Sequence, residues 1–128
     1  MSGQNSVVYI DYSEVREGKL DELKAAIKEL TEFVKAKEPR IIAYNVYFTD
    51  GDKRMTILHI HPDAASLEYH MKVAGPEFPK FADFVRMLTI NVYGEINDGL
   101  LEQLHKKARM LGNAAVAVHE FNAGIARF

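Results

Sequence analysis

Arg54–His70, RMTILHIHPDAASLEYH, is the stretch that decides the fold. An apolar, strand-like run over Met55–His61 stops at Pro62, and Asp63 opens a helix-like run that ends at His70. Residues two apart on a strand point to one face. Met55, Ile57, His59 and His61 therefore share one side, and Thr56, Leu58 and Ile60 the other. Both sides are largely apolar, so the strand asks for cover on both. Pro62 has no N–H for a ladder and ends it. Asp63 then serves as an N-cap, or as an early acid favoured by the helix dipole. Three of the five histidines fall here, so the strand delivers imidazoles to the mouth of a helix.

Upstream, Arg40–Thr49 (RIIAYNVYFT) has period two and β-rich composition. Asp50-Gly51-Asp52-Lys53 is a turn, which predicts an antiparallel hairpin with Met55–His61. Before it, Leu20, Leu23, Ile27, Leu30 and Val34 recur at helical spacing, with a solvated Lys/Glu face opposite, until Glu38-Pro39 ends the helix. Val7–Tyr12 (VVYIDY) is the first strand, with Asp11 expected as a strand-end carboxylate in water, and residues 1–6 are a polar, mobile tail.

Downstream, Pro76–Val85 places Phe78, Phe81, Phe84 and Val85 on one side of a short helix, as core. Met87–Ile96 is a strand with Thr89, Asn91 and Tyr93 opposite Leu88, Ile90 and Val92. Leu100, Leu101, Leu104, Ala108 and Leu111 stripe a second long helix, closed by Gly112-Asn113. Ala114–Phe121 is a last strand, expected to pair with a sheet edge and able to use the edge of a partner.

The order β-α-β-β-α-β, followed by α-β, is an α+β, ferredoxin-like split βαβ arrangement: an antiparallel sheet with helices on one face and an extra C-terminal helix and strand. Strands apolar on both sides leave a second face to cover, which predicts a homodimer packed sheet on sheet. At 128 residues the chain is expected to be one domain. Net charge is −2 and no Lys/Arg block interleaves with aromatics, which argues against nucleic acid. Cysteine is absent, which excludes disulfides and thiolate chemistry and suits the cytosol. The start, MSGQNS, lacks a leader pattern, and no apolar run reaches the ~20 residues of a membrane span. The expectation is a soluble cytoplasmic domain without a membrane partner.

His59 and His61 form an H-x-H pair on one strand face, able to offer two imidazoles to a divalent metal. A third ligand is needed, and neither Glu68 nor His70 sits at a recognised spacing. The pair is therefore expected as two partly buried, hydrogen-bonded histidines, with no metal and no cofactor. His70 is the candidate catalytic residue, a general base or substrate-orienting group whose ordinary pKa lies near neutrality. Tyr44, Asn45, Tyr47, Asn91 and Tyr93 either line a pocket for a polar aromatic ligand or pack and bond locally. No P-loop, G-x-S-x-G or H-E-x-x-H motif is present.

The stretch HIHPDAASLEYHMKVAGPEFPKF (His59–Phe81), with the element order over residues 7–96, resembles the antibiotic biosynthesis monooxygenase-like family of dimeric α+β barrels. Residues 97–128 form an extension beyond the usual family core. Ser66, Leu67 and His70 fit the second-helix pattern of the family. The tryptophan of many members falls near His61, and the first-strand asparagine near Asp11. No histidine occurs in Phe78–Arg86, where haem-degrading relatives carry the iron ligand. The resemblance implies a cofactor-independent monooxygenase, or a related enzyme, acting on a small aromatic or polyketide-like molecule. His70 would then be catalytic, with His59, His61, Asp11, Tyr44, Asn45 and Asn91 binding substrate. The other reading is a non-catalytic dimeric module that binds a small-molecule ligand, in a stress response for example.

Overall fold

Alternation of buried and half-buried residues carries the first strand, β1, over Val7–Val15, three residues past Tyr12. The computed structural model describes residues 5–128; the first four positions of the expected polar tail lie outside the described residues. The longer strand corrects the expectation for Asp11. It sits in mid-strand and is 1% exposed, not at a wetted end.

Helix α1 (Leu20–Lys37) buries Leu23, Ala26, Ile27, Leu30 and Val34, with Asp21 and Glu22 in its first turn and Lys35 and Lys37 in its last, each matching the helix dipole. β2 (Ala43–Thr49) and β3 (Arg54–His61) form the expected antiparallel hairpin. Its turn runs through Asp50, Gly51 and Asp52, all at positive φ. Helix α2 (Ala64–Ala74) begins at Asp63, whose side chain accepts from the Ser66 N–H at 3.0 Å, a cap worth about 1 kcal/mol. Two 3₁₀ helices, Gly75–Glu77 and Pro79–Asp83, replace the single short helix and seat Phe78 and Phe81 in the core. β4 (Val85–Tyr93), α3 (Asp98–Leu111) and β5 (Ala115–His119) complete the chain, with Asn97 capping α3.

The strands lie in the order β2-β3-β1-β4-β5. All neighbours are antiparallel except β4 and β5. β3 lies between β1 and β2, which is the split βαβ arrangement. β5 pairs in parallel with its own β4 and forms one edge of the sheet. A register shift at Tyr12/Ser13 sets Tyr12 against Thr89 and Ser13 against Met87. The shift breaks the expected alternation on β4: Met87 and Ile90 are both buried, while Leu88 between them is half-buried.

The helices cover one face of the sheet, the face that carries Tyr9, Asp11 and Ser13 on β1 and Met55, Ile57, His59 and His61 on β3, all buried. The other face presents Val8, Ile10, Tyr12, Thr56, Leu58 and Ile60, each half-buried.

Candidate functional site

Among the buried polar and charged residues of this core are Asp11, Glu38, His59, His61, Ser66, His70 and Lys107, drawn from β1, β3, α2, α3 and the end of α1. Burying so many polar groups is costly unless they bond one another, and most of them do.

His70 projects from the middle of α2 onto Glu38, the residue that caps α1. Its Nδ1 lies 2.8 Å from Oε2 and 3.0 Å from Oε1 of Glu38. A carboxylate only accepts, so Nδ1 carries the proton and Nε2 is the bare, basic nitrogen. Burial lowers the pKa of His70, against the upward pull of the Glu38 bond. The imidazole is neutral at pH 7 and able to take a proton.

On the strand, His59 Nδ1 meets His61 Nε2 at 3.2 Å, and His61 Nδ1 meets Ser66 Oγ at 2.8 Å. Each ring occupies a nitrogen of the other, and among the described residues no group of three or more His, Asp or Glu is placed to hold a metal ion. Burial, with His70 nearby, lowers His61 to about 3 and takes His59 well below its usual value. His59 stacks on Tyr9 at 4.3 Å between ring centres and meets His70 edge-on at 4.4 Å and Tyr44 at 4.8 Å.

A second polar group closes on Asp11. Lys107 Nζ donates to Tyr9 Oη at 2.7 Å, Tyr9 donates to Asp11 Oδ2 at 2.6 Å, and Nζ lies 3.7 Å from Oδ2. The ammonium also sits over the rings of Phe78 (4.2 Å) and Tyr9 (4.7 Å). Burial pushes the Asp11 carboxyl up and the Lys107 amine down, each opposed by the other's charge. Asp11 Oδ1 has no hydrogen-bond partner among the described residues. Asp11, Tyr44, Phe78 and Lys107 line a gap of about 30 Å³, the room of one water molecule. On the outer side of the imidazole chain, Glu38, Arg40, Ser66 and Tyr69 line a surface cleft of about 250 Å³.

The structure thus brings His70, His59, His61, Asp11 and Tyr44 together. It does not bring Asn45 or Asn91 to them. Both point to the open face of the sheet, because they alternate with Tyr44 and Ile90 along their strands. There Asn91 Oδ1 pairs with His119 Nε2 at 2.9 Å, and His119 stacks on Tyr93 at 4.4 Å. His61 is fully buried, as is His70. Tyr9, Glu38 and Lys107 are members of this buried polar cluster that the sequence reading does not single out. Two of them carried a signal: Glu38 follows Leu30 and Val34 at spacing four, and Lys107 lies three after Leu104 and four before Leu111, so both stand on apolar stripes.

No protein-family model matches the sequence, and no curated protein does. Solved structures do match in fold. MupZ from Pseudomonas fluorescens superposes over 96% of this chain and 95% of its own, with a TM-score of 0.74 and 18% identity. SnoaB from Streptomyces nogalater, a cofactor-independent oxygenase, covers 73% of this chain and 95% of its own at TM-score 0.61 and 12% identity. A Bacteroides thetaiotaomicron protein assigned as an antibiotic biosynthesis monooxygenase covers 73% and 90% at TM-score 0.56 and 24% identity. The match to MupZ is long enough to take in most of the C-terminal helix and strand. The chain has the fold of the antibiotic biosynthesis monooxygenase-like proteins.

Proposed function

We propose that the protein is an enzyme that moves protons on a small aromatic or polyketide-like molecule, as a cofactor-independent monooxygenase or a close relative of one. The carrying observation is the His70–Glu38 pair, a buried imidazole whose Nδ1 is held by the carboxylate and whose Nε2 is left as the basic nitrogen. Deprotonation of an activated CH₂ by His70 gives an electron-rich carbanion. Dioxygen then takes electrons from it, and the CH₂ and O₂ become a C=O and water. Asp11, whose Oδ1 has no partner among the described residues, can accept from a hydroxyl of the bound molecule, and Tyr44 lines the same gap. The half-buried apolar face around Ile10 and Leu58 supports a homodimer packed sheet on sheet. Among the described residues no helix is long and apolar enough to cross a membrane, and we place the protein in the cytoplasm.

One observation favours the second reading, a small-molecule-binding module without turnover: the gap beside Asp11 is narrow, filled by Tyr44, Phe78 and Phe81. Oxygen uptake and thermal shift, measured together on a panel of phenols, anthrones and 1,3-dicarbonyls, separate the two. The enzyme reading expects oxygen uptake that is lost in His70→Gln, a variant that keeps a donor for Glu38. A melting shift without any consumption of oxygen or ligand would favour the module.

A further inference from the structure

Proton abstraction by His70 leaves one costly charged group of the core without a task. Lys107 comes from α3, in the C-terminal extension, and its side chain is 6% exposed. A lysine on this stripe could have been an apolar residue at less expense. Its surroundings are those of a reactive amine. The nitrogen is on the wall of the gap, between the faces of Phe78 and Tyr9, and its charge is balanced by a carboxylate that has a second oxygen to spare. Asp11 lines the same gap, and its Oδ1 has no hydrogen-bond partner among the described residues.

We propose that Lys107 Nζ is an amine nucleophile that forms an imine with an aldehyde small enough to take the place of a water in the gap, with Asp11 carrying the protons. The ammonium first gives a proton to Asp11 through the Tyr9 hydroxyl that bridges them. The free amine pair attacks the carbonyl carbon, and the carbonyl π pair moves to oxygen, which takes up the second nitrogen proton. Asp11 then returns its proton to that hydroxyl, which leaves as water while nitrogen forms the second bond to carbon. An ammonium and a carbonyl become an iminium and water, with no oxidant or reductant. Burial favours this step because it lowers the amine and raises the carboxyl toward a common proton affinity. The iminium keeps the positive charge that Asp11 and the two aromatic faces already accommodate. This chemistry goes beyond the oxygenase reading and needs neither His70 nor dioxygen, so either can fail without the other.

Limiting formaldehyde with cyanoborohydride tests it on the intact protein near neutral pH. The hydride reduces any imine to a stable alkyl amine, read by peptide mass mapping. Lys107 should gain its methyl groups ahead of its exposed neighbour Lys106, and the labelled peptide should vanish in Lys107→Met. Asp11→Asn should slow labelling of Lys107 and leave Lys106 unchanged; equal rates in that variant overturn the part given to Asp11. If Lys106 is fully methylated while Lys107 stays unmodified in protein that keeps its circular dichroism, or if Lys107 reacts only in urea, the amine is structural and the proposal is wrong.

Discussion

His70 Nδ1 sits 2.8 Å from a carboxylate oxygen of Glu38, a residue 32 positions earlier, and both side chains are at most 2% exposed. The contact ties the end of α1 to the middle of α2. Glu38→Ala should leave a buried imidazole N–H without a partner and cost about 1–3 kcal/mol by urea unfolding. Glu32→Ala, on the exposed side of α1, should stay within about 0.5 kcal/mol. Equal costs for the two would mean that the pair contributes nothing.

Acid should unfold the protein through its histidines. His59, His61 and His70 all have pKa values lowered by burial, His61 to about 3. In the unfolded chain each titrates near 6.5. Below about 6.5 the unfolded state therefore binds more protons than the native one, and each histidine removes up to about 1.4 kcal/mol per pH unit until its native value is reached. Asp11 acts in the opposite sense, since burial raises its carboxyl and the native state takes that proton first. It offsets part of the loss toward about pH 4. The melting temperature should thus fall between about pH 7 and 5, and fall less in His61→Gln. A flat profile over that range would contradict the neutral imidazole cluster.

Removing one member of the Asp11–Lys107 pair should be worse than removing both. Lys107→Met leaves a buried carboxylate uncompensated, at about 3–5 kcal/mol, whereas Asp11→Leu with Lys107→Met should come close to neutral. Additive costs in the double-mutant cycle would show that the two do not share their charge.

The strand and helix order was legible because periodicity is local. Leu20 to Val34, Met55 to His61 and Leu100 to Leu111 each announce their element without reference to any other. Pairing Asp11 with Lys107 is another matter, since 96 positions separate them and only the crossing of α3 over β1 joins them. A stripe reveals that Lys107 and Glu38 face inward but not what they meet. Asn45 and Asn91 illustrate the converse. Strand membership was right for both, yet a choice of sheet face decides whether a side chain reaches the helices. On β4 that choice is shifted by the irregularity opposite Tyr12 and Ser13, which no local pattern marks. Asp11 looks like a strand-end residue because the apolar alternation fades after Tyr12, although Ser13 and Val15 continue the strand.

The open face of the sheet should self-associate. Sedimentation of the wild type at micromolar concentration should give a dimer, and Ile10→Lys at the centre of that face should give a folded monomer. A wild type that stays monomeric would leave Val8, Ile10, Leu58 and Ile60 facing water and remove the basis for the dimer.

Gly112 closes α3 at φ 148°, and a Cβ there would lie 2.7 Å from the Met87 backbone nitrogen and 2.8 Å from its oxygen. Gly112→Ala should cost about 1–3 kcal/mol, since neither the conformation nor the backbone of β4 can yield cheaply. Asn113 also has positive φ but lies exposed, and Asn113→Gly should be tolerated. Thermal melts of the two variants give the comparison.

The bonds from Ser66 to His61 to His59 run in a single direction at any moment. A neutral imidazole has one N–H and one bare nitrogen. If the Ser66 hydroxyl donates to His61, then His61 donates to His59, and the proton of His59 stands on Nε2. If Ser66 accepts, both rings reverse and Nε2 of His59 is stripped. Ser66 also borders the outer cleft beside Arg40 and Tyr69. Whatever turns that hydroxyl from the solvent side therefore turns over the polarity of a ring stacked on Tyr9, two residues and no conformational change away.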